Sequence, residues 1–341
     1  MKRFLKYFFL FLLFFFVSLI IYFFSGRPQP AENIIWGVNF SQKHAEKLGL
    51  DWKKTYLALL DDLQTKNIKV AAYWDLIEQE KGEYNFDDLD WQIKQAKEHQ
   101  AKVLLVVGMK TPRWPECHIP DWAKNLNKEE QQERILELIK TTVLRYRWSD
   151  PMPGEVVWAW QVENEPLFPF GECPWTDKDF LKKEISLVNS LDIAFESGGR
   201  PIIISDSGEG SLWFTAAQLG DIVATTMYRK VWFKEIKNYL TYPFPPSFYW
   251  KKAQIIKKLF HKKVIVGELQ AEPWGPNLLY NLSLEEQEKS MNLGRFKDNI
   301  AFAKKTGFDE FYLWGAEWWY WLKEKQQRPE IWEEARSLFK D

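Results

Sequence analysis

The chain has 341 residues, with 46 basic and 47 acidic side chains and a formal net charge of −1. This balance argues against a nucleic-acid-binding protein, because proteins that bind the phosphate backbone carry a local excess of Lys and Arg. Aromatic residues make up 17% of the chain and include 19 Trp. That number fits either a Trp-rich core or exposed indole faces that stack on sugar rings.

The first 26 residues differ from the rest of the chain. The segment from Tyr7 to Phe24 has no charged residue and is almost entirely apolar, and its length predicts a transmembrane helix. Three basic residues precede it, which predicts a cytoplasmic N-terminus and an extracytoplasmic remainder. Residues 27–33 contain two prolines and form the expected linker. The alternative is a cleaved signal peptide and secretion, although no A-x-A cleavage site follows Phe24.

From residue 34 to residue 341, short apolar runs alternate with amphipathic stretches. Eight runs have the composition of strands buried on both faces, at 34–40, 70–74, 103–108, 156–162, 202–206, 222–228, 264–268 and 311–315. Helices are predicted where apolar residues recur at spacings of three and four, at 91–99, 129–146, 179–197 and 285–305. Eight strand–helix units predict a single α/β domain, a (β/α)8 TIM barrel.

Acidic residues at the ends of the fourth and seventh runs form the main candidate site. The fourth run leads into QVENEP, which contains Glu165, and the seventh ends in Gly267-Glu268. The C-terminal ends of barrel strands lie on one face, where active sites are built, so these carboxyls are expected to converge. Hydrolysis of a glycosidic bond needs two carboxyls. One protonates the leaving oxygen, and the other attacks the anomeric carbon or activates water.

The motifs in these positions resemble glycoside hydrolase clan A, the (β/α)8-barrel retaining glycosidases. The resemblance rests on VENEP after the fourth run, the isolated Glu268 ending the seventh and Trp314 ending the eighth. It covers about residues 34 to 335, and the chain resembles barrels of the family 5, family 39 and family 42 type. The stretch 74–90 also resembles the second-strand region of family 39 and family 42 enzymes.

The resemblance implies a role for each of five residues. Glu165 would be the general acid/base and Glu268 the nucleophile of a double displacement on β-glycosidic bonds of oligo- or polysaccharides. Asn164 would bind the sugar 2-hydroxyl, and Tyr228 would donate a hydrogen bond to the nucleophile. Trp314 would form the floor of the subsite that holds the cleaved sugar.

One position departs from the clan pattern. Many clan members carry an Arg on the second strand that supports the nucleophile, whereas Ala71 and Ala72 stand near that position here. Lys69 is expected at the start of the strand, on the wrong side of the barrel. Arg113 or Lys110, after the third run, could supply the cation instead.

Further aromatic and polar residues are candidates for substrate contacts, with ordinary packing as the alternative for each. These candidates are His118, Trp114, Trp74 and Trp274. Glu163 is expected on the same side as Glu165, where it could be a second substrate contact. Glu272 lies beyond the seventh strand and is interpreted as a decoy for the nucleophile.

The only two cysteines, Cys117 and Cys173, lie in Pro-rich segments. A disulfide between two loops is expected if the domain lies outside the membrane, and two free thiols are the alternative. The four His are scattered without HExxH spacing, so no metal or other cofactor is predicted. The expected partners are a β-linked glycan and, through the N-terminal helix, a membrane. A monomer is the default expectation.

Two other functions remain open. A transglycosylase acting on cell-envelope glycans would use the same chemistry but pass the glycosyl group to a sugar. A non-catalytic glycan-binding barrel is favoured only by the missing strand-two Arg.

Overall fold

A computed structural model describes residues 2–147, 156–192 and 199–340. Its strands β1 to β10 are Ile35–Asn39, Asn67–Ala71, Lys102–Val107, Val157–Val162, Ile202–Asp206, Ile222–Met227, Lys230–Phe233, Asn238–Thr241, Lys263–Gln270 and Glu310–Trp314. Eight parallel strands close into a barrel in the order β1-β10-β9-β6-β5-β4-β3-β2, and β7 and β8 pair as a separate antiparallel hairpin. This architecture confirms the predicted (β/α)8 TIM barrel.

Helices lie between the strands, as the amphipathic stretches predict. Helices α1 to α13 are Lys2–Phe24, Gln42–Lys47, Trp52–Asp61, Trp74–Ile77, Asp87–Glu98, Lys128–Arg147, Lys178–Leu191, Phe214–Leu219, Pro246–Phe260, Leu284–Glu288, Leu293–Lys304, Ala316–Gln326 and Glu330–Leu338. The predicted helix 285–305 is two helices, because the Asn292 side chain accepts from the Arg295 amide and starts α11 afresh. The predicted helix 179–197 corresponds to α7, and its last positions, 193–197, lie outside the described residues.

Strand β2 begins and ends three residues earlier than the predicted strand at 70–74. Lys69 is therefore its middle residue, in register with Leu104 of β3. Leu104 belongs to the cluster that fills the barrel interior, whereas Ile68 and Val70 pack in the layer between the barrel and the helices. Because side chains alternate along a strand, Lys69 points into the barrel. The expectation that it lies on the wrong side is wrong.

The barrel interior is packed with side chains. Its apolar layer consists of Leu104, Ala159, Ile203, Ala224, Ile265 and Tyr312. Gly37 of β1 makes room for the Tyr312 ring, since a Cβ at this position would lie 2.8 Å from two ring atoms. The outer layer accounts for part of the Trp excess, with Trp74, Trp160, Trp213, Trp318, Trp319 and Trp332 all fully buried. With its interior filled, the barrel leaves the strand ends as the place for a site.

Two features relate the barrel to its surroundings. Within helix α1, the segment Arg3–Phe24 is long and apolar enough to cross a membrane, and a signal sequence near the N-terminus would meet the same criteria. Cys117 and Cys173 form a disulfide that joins the loops after β3 and β4. The expected bridge is thus present, and it ties together two loops on the C-terminal face of the barrel.

Candidate active site

Glu268 lies within β9 and is buried, with 4% of its surface exposed. Its carboxylate has two donors from other strands. The Tyr228 hydroxyl, one residue after β6, donates to Oε2 at 3.0 Å, and the Lys69 ammonium on β2 donates to Oε1 at 3.3 Å. One carboxylate oxygen thus accepts from a hydroxyl and the other pairs with an ammonium. Glu268 is therefore surrounded by groups that hold a carboxylate by hydrogen bonding and opposite charge.

Lys69 places a positive charge beside Glu268, where the strand-two Arg of many clan members is missing. It is 1% exposed, and its ion pair with Glu268 joins residues 199 positions apart in the chain. Arg113 and Lys110, the two residues expected to replace that Arg, have other partners. Arg113 pairs with Glu272 and Glu317, and Lys110 donates to two backbone carbonyls in the loop after β4. The available signal was strand alternation, since a Lys flanked by buried Ile68 and Val70 must face the interior.

Glu165 lies three residues beyond the end of β4, in a segment that no longer has strand geometry. Glu163 and Glu165 both have positive φ, at 59° and 42°, a left-handed conformation that is uncommon outside glycine. The Glu165 amide donates to Ser205 Oγ at 2.7 Å, and the Lys110 ammonium donates to the Glu165 carbonyl at 2.9 Å. These contacts hold the backbone of Glu165, and the residue is 9% exposed.

The electrostatic surroundings of Glu165 differ from those of Glu268. Burial raises the pKa of Glu165 well above its usual value, and the negative charges of Glu268 and Glu116 raise it further. The nearby Lys110 opposes this shift without cancelling it. A raised pKa favours the protonated form, which is the form that a general acid needs. The two carboxyls are thus prepared for opposite roles.

The Glu163 side chain binds backbone amides beside the site and points in a different direction from Glu165. Its carboxylate accepts hydrogen bonds from the amides of Met109 and Lys110. Gly108 has φ of 118°, and a Cβ there would lie 2.5 Å from Glu163 Oε1. The expectation that Glu163 and Glu165 share a side is wrong, because positive φ at both residues breaks the strand alternation on which it depends.

A third buried carboxyl, Glu116, stands beside the pair and has no sequence signal. Burial, and then the charge of Glu268, raise the pKa of Glu116 to about 8. Its Oε2 accepts from Asn164 Nδ2 at 3.1 Å, and Gln161 Nε2 donates to Asn164 Oδ1 at 3.1 Å. The predicted sugar-binding amide therefore already has protein partners, and a sugar 2-hydroxyl would share or replace Glu116. Glu116 lies in an irregular loop whose path depends on the adjacent disulfide.

An aromatic rim leads from solvent to Tyr228, the hydroxyl donor to Glu268. Trp114 is 44% exposed and lies 6.0 Å from the Phe170 ring, which lies 5.6 Å from Trp274. Trp274 contacts the Tyr228 ring at 5.2 Å in an edge-to-face arrangement. Trp114 and Trp274 are sequence candidates, whereas Phe170 is not. The disulfide between Cys117 and Cys173 joins the loops that carry Trp114 and Phe170.

Two other sequence candidates are buried in the protein. Trp74 is 0% exposed and donates through Nε1 to Glu78 at 2.7 Å, because β2 ends at Ala71 and Trp74 begins α4. His118 is 1% exposed and packs edge-to-face on Tyr73, with its Nε2 3.1 Å from the Arg113 carbonyl. Burial lowers the pKa of His118 to about 3. Neither side chain presents a face to a sugar, so both predicted substrate contacts need correction.

Trp314 ends β10 as expected and is backed by a charged network. The Arg113 guanidinium lies 4.0 Å from the centroid of its ring. Arg113 in turn pairs with Glu272, and with Glu317 at 2.8 Å. Burial opposes ionisation of Glu272, but the charges of Arg113 and His44 outweigh it and lower the pKa of Glu272 to about 2. Glu272 is thus paired with Arg113, whose guanidinium lies over the Trp314 ring.

Among the described residues, His44, Glu272 and Glu317 offer ligand atoms that all lie within 4.8 Å of one another. These are ligand types that a divalent cation accepts. The guanidinium of Arg113 already pairs with both carboxylates. The cluster therefore already serves as an ion-pair network beside Trp314.

Replacing Lys69 tests its role. We expect Lys69→Met to lower kcat about 10²- to 10³-fold, as is typical when one electrostatic contact to a reacting group is removed. The loss should fall on kcat more than on KM, since a neutral side chain no longer places a positive charge beside the Glu268 carboxylate. Lys69→Arg should recover part of the rate, whereas equal losses in both variants would indicate a packing role only.

A closed parallel barrel with two buried carboxyls at its C-terminal face is the arrangement that glycosidases of the (β/α)8 type use. A sequence model of glycosyl hydrolase family 10 matches residues 44–188, which is less than half of the chain. This match, together with the solved structures of similar fold, confirms the resemblance to clan A barrels. A search of curated proteins found no match.

Three solved structures illustrate the likeness. The chain shares 13% identity with the intracellular xylanase TsXylA from Thermoanaerobacterium saccharolyticum, with a TM-score of 0.55 over 84% of this chain and 86% of that one. It shares 14% identity with GH5_18 from Bifidobacterium longum, with a TM-score of 0.56 over 83% of this chain and 70% of that one. It shares 14% identity with a β-galactosidase from the haloarchaeon Halorubrum lacusprofundi, with a TM-score of 0.54 over 82% of this chain. The match covers 52% of that enzyme, so this chain spans about half of its length. Identities this low show a shared fold.

Proposed function

We propose that the protein is a retaining glycoside hydrolase that cleaves β-glycosidic bonds in oligo- or polysaccharides. Glu165 is the general acid/base and Glu268 the nucleophile. The observation that carries the proposal is the contrast between the two buried carboxyls. Glu268 is held by the Lys69 ammonium and the Tyr228 hydroxyl, whereas the pKa of Glu165 is raised by burial and by neighbouring carboxylates.

In the first step, Glu268 attacks the anomeric carbon while the Glu165 proton passes to the leaving oxygen. This forms a covalent glycosyl-enzyme and releases the alcohol of the leaving sugar. In the second step, Glu165 takes a proton from water, whose oxygen displaces Glu268. Esterification of Glu268 removes the charge that raises the pKa of Glu165. The same side chain therefore becomes a better base when the mechanism requires one.

Electrostatic coupling between the carboxyls favours a retaining rather than an inverting enzyme. Retaining glycosidases place the two carboxyls about 5–5.5 Å apart, whereas inverting enzymes leave about 6.5–9.5 Å for a water molecule. After burial, the charge of Glu268 is the largest cause that raises the pKa of Glu165. The large effect of the Glu268 charge on the pKa of Glu165 supports a short distance between the two carboxyls.

Tyr228 and the aromatic rim fit this role. Burial and the Glu268 charge raise the pKa of Tyr228 well above its usual value, so its hydroxyl keeps the proton that it donates. The rim of Trp114, Phe170 and Trp274 gives apolar faces for sugar units beyond the reacting one. The structural neighbours include enzymes named as a xylanase, a β-galactosidase and an exo-β-1,4-mannosidase, which supports a β-linked substrate. The same rim favours transglycosylation as a second activity, because it can hold a sugar acceptor.

The N-terminal helix supports placing the barrel outside the cytoplasmic membrane as a single-pass, anchored domain with a cytoplasmic N-terminus. Its length and apolar composition suit a membrane span, and the disulfide suits an oxidising compartment. Secretion after cleavage of the helix is the alternative.

A panel of aryl β-glycosides and β-linked polysaccharides tests the proposal. We expect hydrolysis of at least one β-glucoside, mannoside, galactoside or xyloside by the wild type, with a product of retained configuration. Added sugar acceptors that become glycosylated would reveal transglycosylase activity. Binding of a glycan without turnover anywhere on the panel would instead support the non-catalytic barrel.

A further inference from the structure

The hairpin formed by β7 and β8, residues 230–241, projects from the loop after β6. We name it the lysine–aromatic hairpin, since it carries three Lys, one Glu, Trp232, Phe233 and Tyr239. Its turn residues are exposed, with Ile236 at 54% and Leu240 on the returning strand at 41%. An apolar tip flanked by Lys and aromatic rings has the composition of a membrane–water interface.

The end of helix α1 is fixed to the barrel beside this hairpin. The Phe23 and Phe24 rings lie 5.7 and 6.4 Å from Phe248 at the start of α9. Ser247 Oγ donates to the Phe23 carbonyl at 3.0 Å, and the Lys251 ammonium lies 4.5 Å from the Tyr22 ring. The last turn of the apolar helix therefore has a defined docking place on the barrel.

An unbroken series of rings connects this docking place to the hairpin. Phe24 contacts Phe244, which stacks on Tyr242 at 6.0 Å. Tyr242 contacts Phe233 of β7 at 5.9 Å. The end of α1 and the hairpin thus belong to one continuous aromatic surface. If α1 spans a bilayer, this surface meets the bilayer where the helix leaves it.

We propose that the lysine–aromatic hairpin is a second membrane contact, with its tip seated in the headgroup region of an anionic bilayer. The three Lys and one Glu give residues 230–241 a net charge of +2, which complements anionic lipid. Ile236 supplies the apolar side chain at the tip, Leu240 adds a second exposed apolar side chain on the returning strand, and the ring series supplies continuity with the proposed anchor. The inference rests on that anchor, because α1 sets the side of the barrel that faces the lipid.

The contact has a consequence for the active site. Gln270, two residues after Glu268, accepts from the amides of Arg229 and Lys230 and donates to the Lys230 carbonyl. Tyr228, the donor to Glu268, directly precedes Arg229. The root of the hairpin is therefore pinned to the strand that carries the nucleophile. A hairpin seated in lipid holds the cleft beside the membrane surface, which suits glycans presented at that surface.

The experiment uses the full chain with one introduced cysteine. Both native cysteines are in the disulfide, so Ile236→Cys takes a single environment-sensitive fluorophore. The labelled protein is reconstituted in vesicles of phosphatidylcholine and phosphatidylglycerol, with or without spin-labelled lipid as quencher. Lys102→Cys, exposed at the opposite end of the barrel at the start of β3, is the matched control. We expect spin-labelled lipid to reduce emission from position 236 by about twofold or more and leave position 102 unchanged.

A further double variant, Lys234→Glu with Lys237→Glu, should reduce the quenching of position 236, most strongly at low ionic strength. Equal quenching at positions 236 and 102 in protein that floats with the vesicles would overturn the hairpin contact and leave the anchor intact. Failure of the full chain to float with vesicles would overturn both. Turnover on soluble glycosides is measured separately, so failure of the proposed glycosidase function would be distinguishable.

Discussion

Glu268→Gln is expected to lower turnover by about 10⁴-fold or more, because an amide cannot form the covalent glycosyl-enzyme. The substitution keeps the shape of the side chain and one oxygen that can accept from Tyr228 or Lys69. It removes the negative charge opposite a Lys that is 1% exposed. We therefore expect a lower melting temperature as well, since a buried ammonium loses its counter-charge. Initial rates and circular dichroism melting measure the two effects.

Covalent labelling identifies the nucleophile independently of rate. A glycoside with fluorine at C2 and a good leaving group should slow both steps and trap the glycosyl-enzyme. Peptide mass analysis is expected to find the sugar on Glu268. Glu272→Gln is the matched variant, since Glu272 is buried four residues away and held by Arg113. It should still be labelled, and a label on Glu272 in the wild type would contradict the proposed assignment.

The strands that the sequence predicts best are those with uninterrupted apolar runs. Seven of the eight runs lie on barrel strands with only small shifts at their ends. Strand β2 is displaced because Lys69 interrupts its apolar pattern and makes the run appear to begin afterwards. Strand alternation would place Lys69 inside the barrel only if the strand were predicted to include it, and an interior Lys needs a counter-charge. That counter-charge, Glu268, lies 199 residues away in the chain. The missed role of Lys69 and the displaced prediction of β2 therefore have the same physical cause.

The candidate site is predictable where side chains follow strand geometry. Tyr228, Glu268 and Trp314 lie on or directly beside strands, and the structure brings Tyr228 and Glu268 together. Beyond the end of a strand, the backbone torsions decide which way a side chain points. Positive φ at Glu163 and Glu165 therefore sends their side chains in different directions. Glu116 depends on an irregular loop that the disulfide joins to its neighbour. Sequence periodicity carries no information about such loops.

Glu165→Ala should have an effect that depends on the leaving group. With a poor leaving group, kcat/KM should fall about 10²- to 10⁴-fold, the usual contribution of general acid catalysis. With an activated aryl glycoside it should change little, since that leaving group departs without a proton. Azide should restore kcat on activated substrates, because it attacks the glycosyl-enzyme without needing a general base. The product, a glycosyl azide of retained configuration, would show that Glu165 serves both steps.

The pH dependence of activity is a second test of Glu165 as the general acid. The pKa of Glu165 is raised by burial and by the Glu268 and Glu116 charges, so the acid form persists to higher pH than in a free carboxyl. Activity should be lost as pH rises through that pKa, and the basic limb of the kcat/KM profile should disappear in Glu165→Ala. Glu163→Gln is the control, because its carboxylate binds backbone amides, and it should keep that limb. A basic limb that survives in Glu165→Ala would assign the proton to another group, and Glu116, the adjacent carboxyl with a pKa of about 8, would then be the residue to replace.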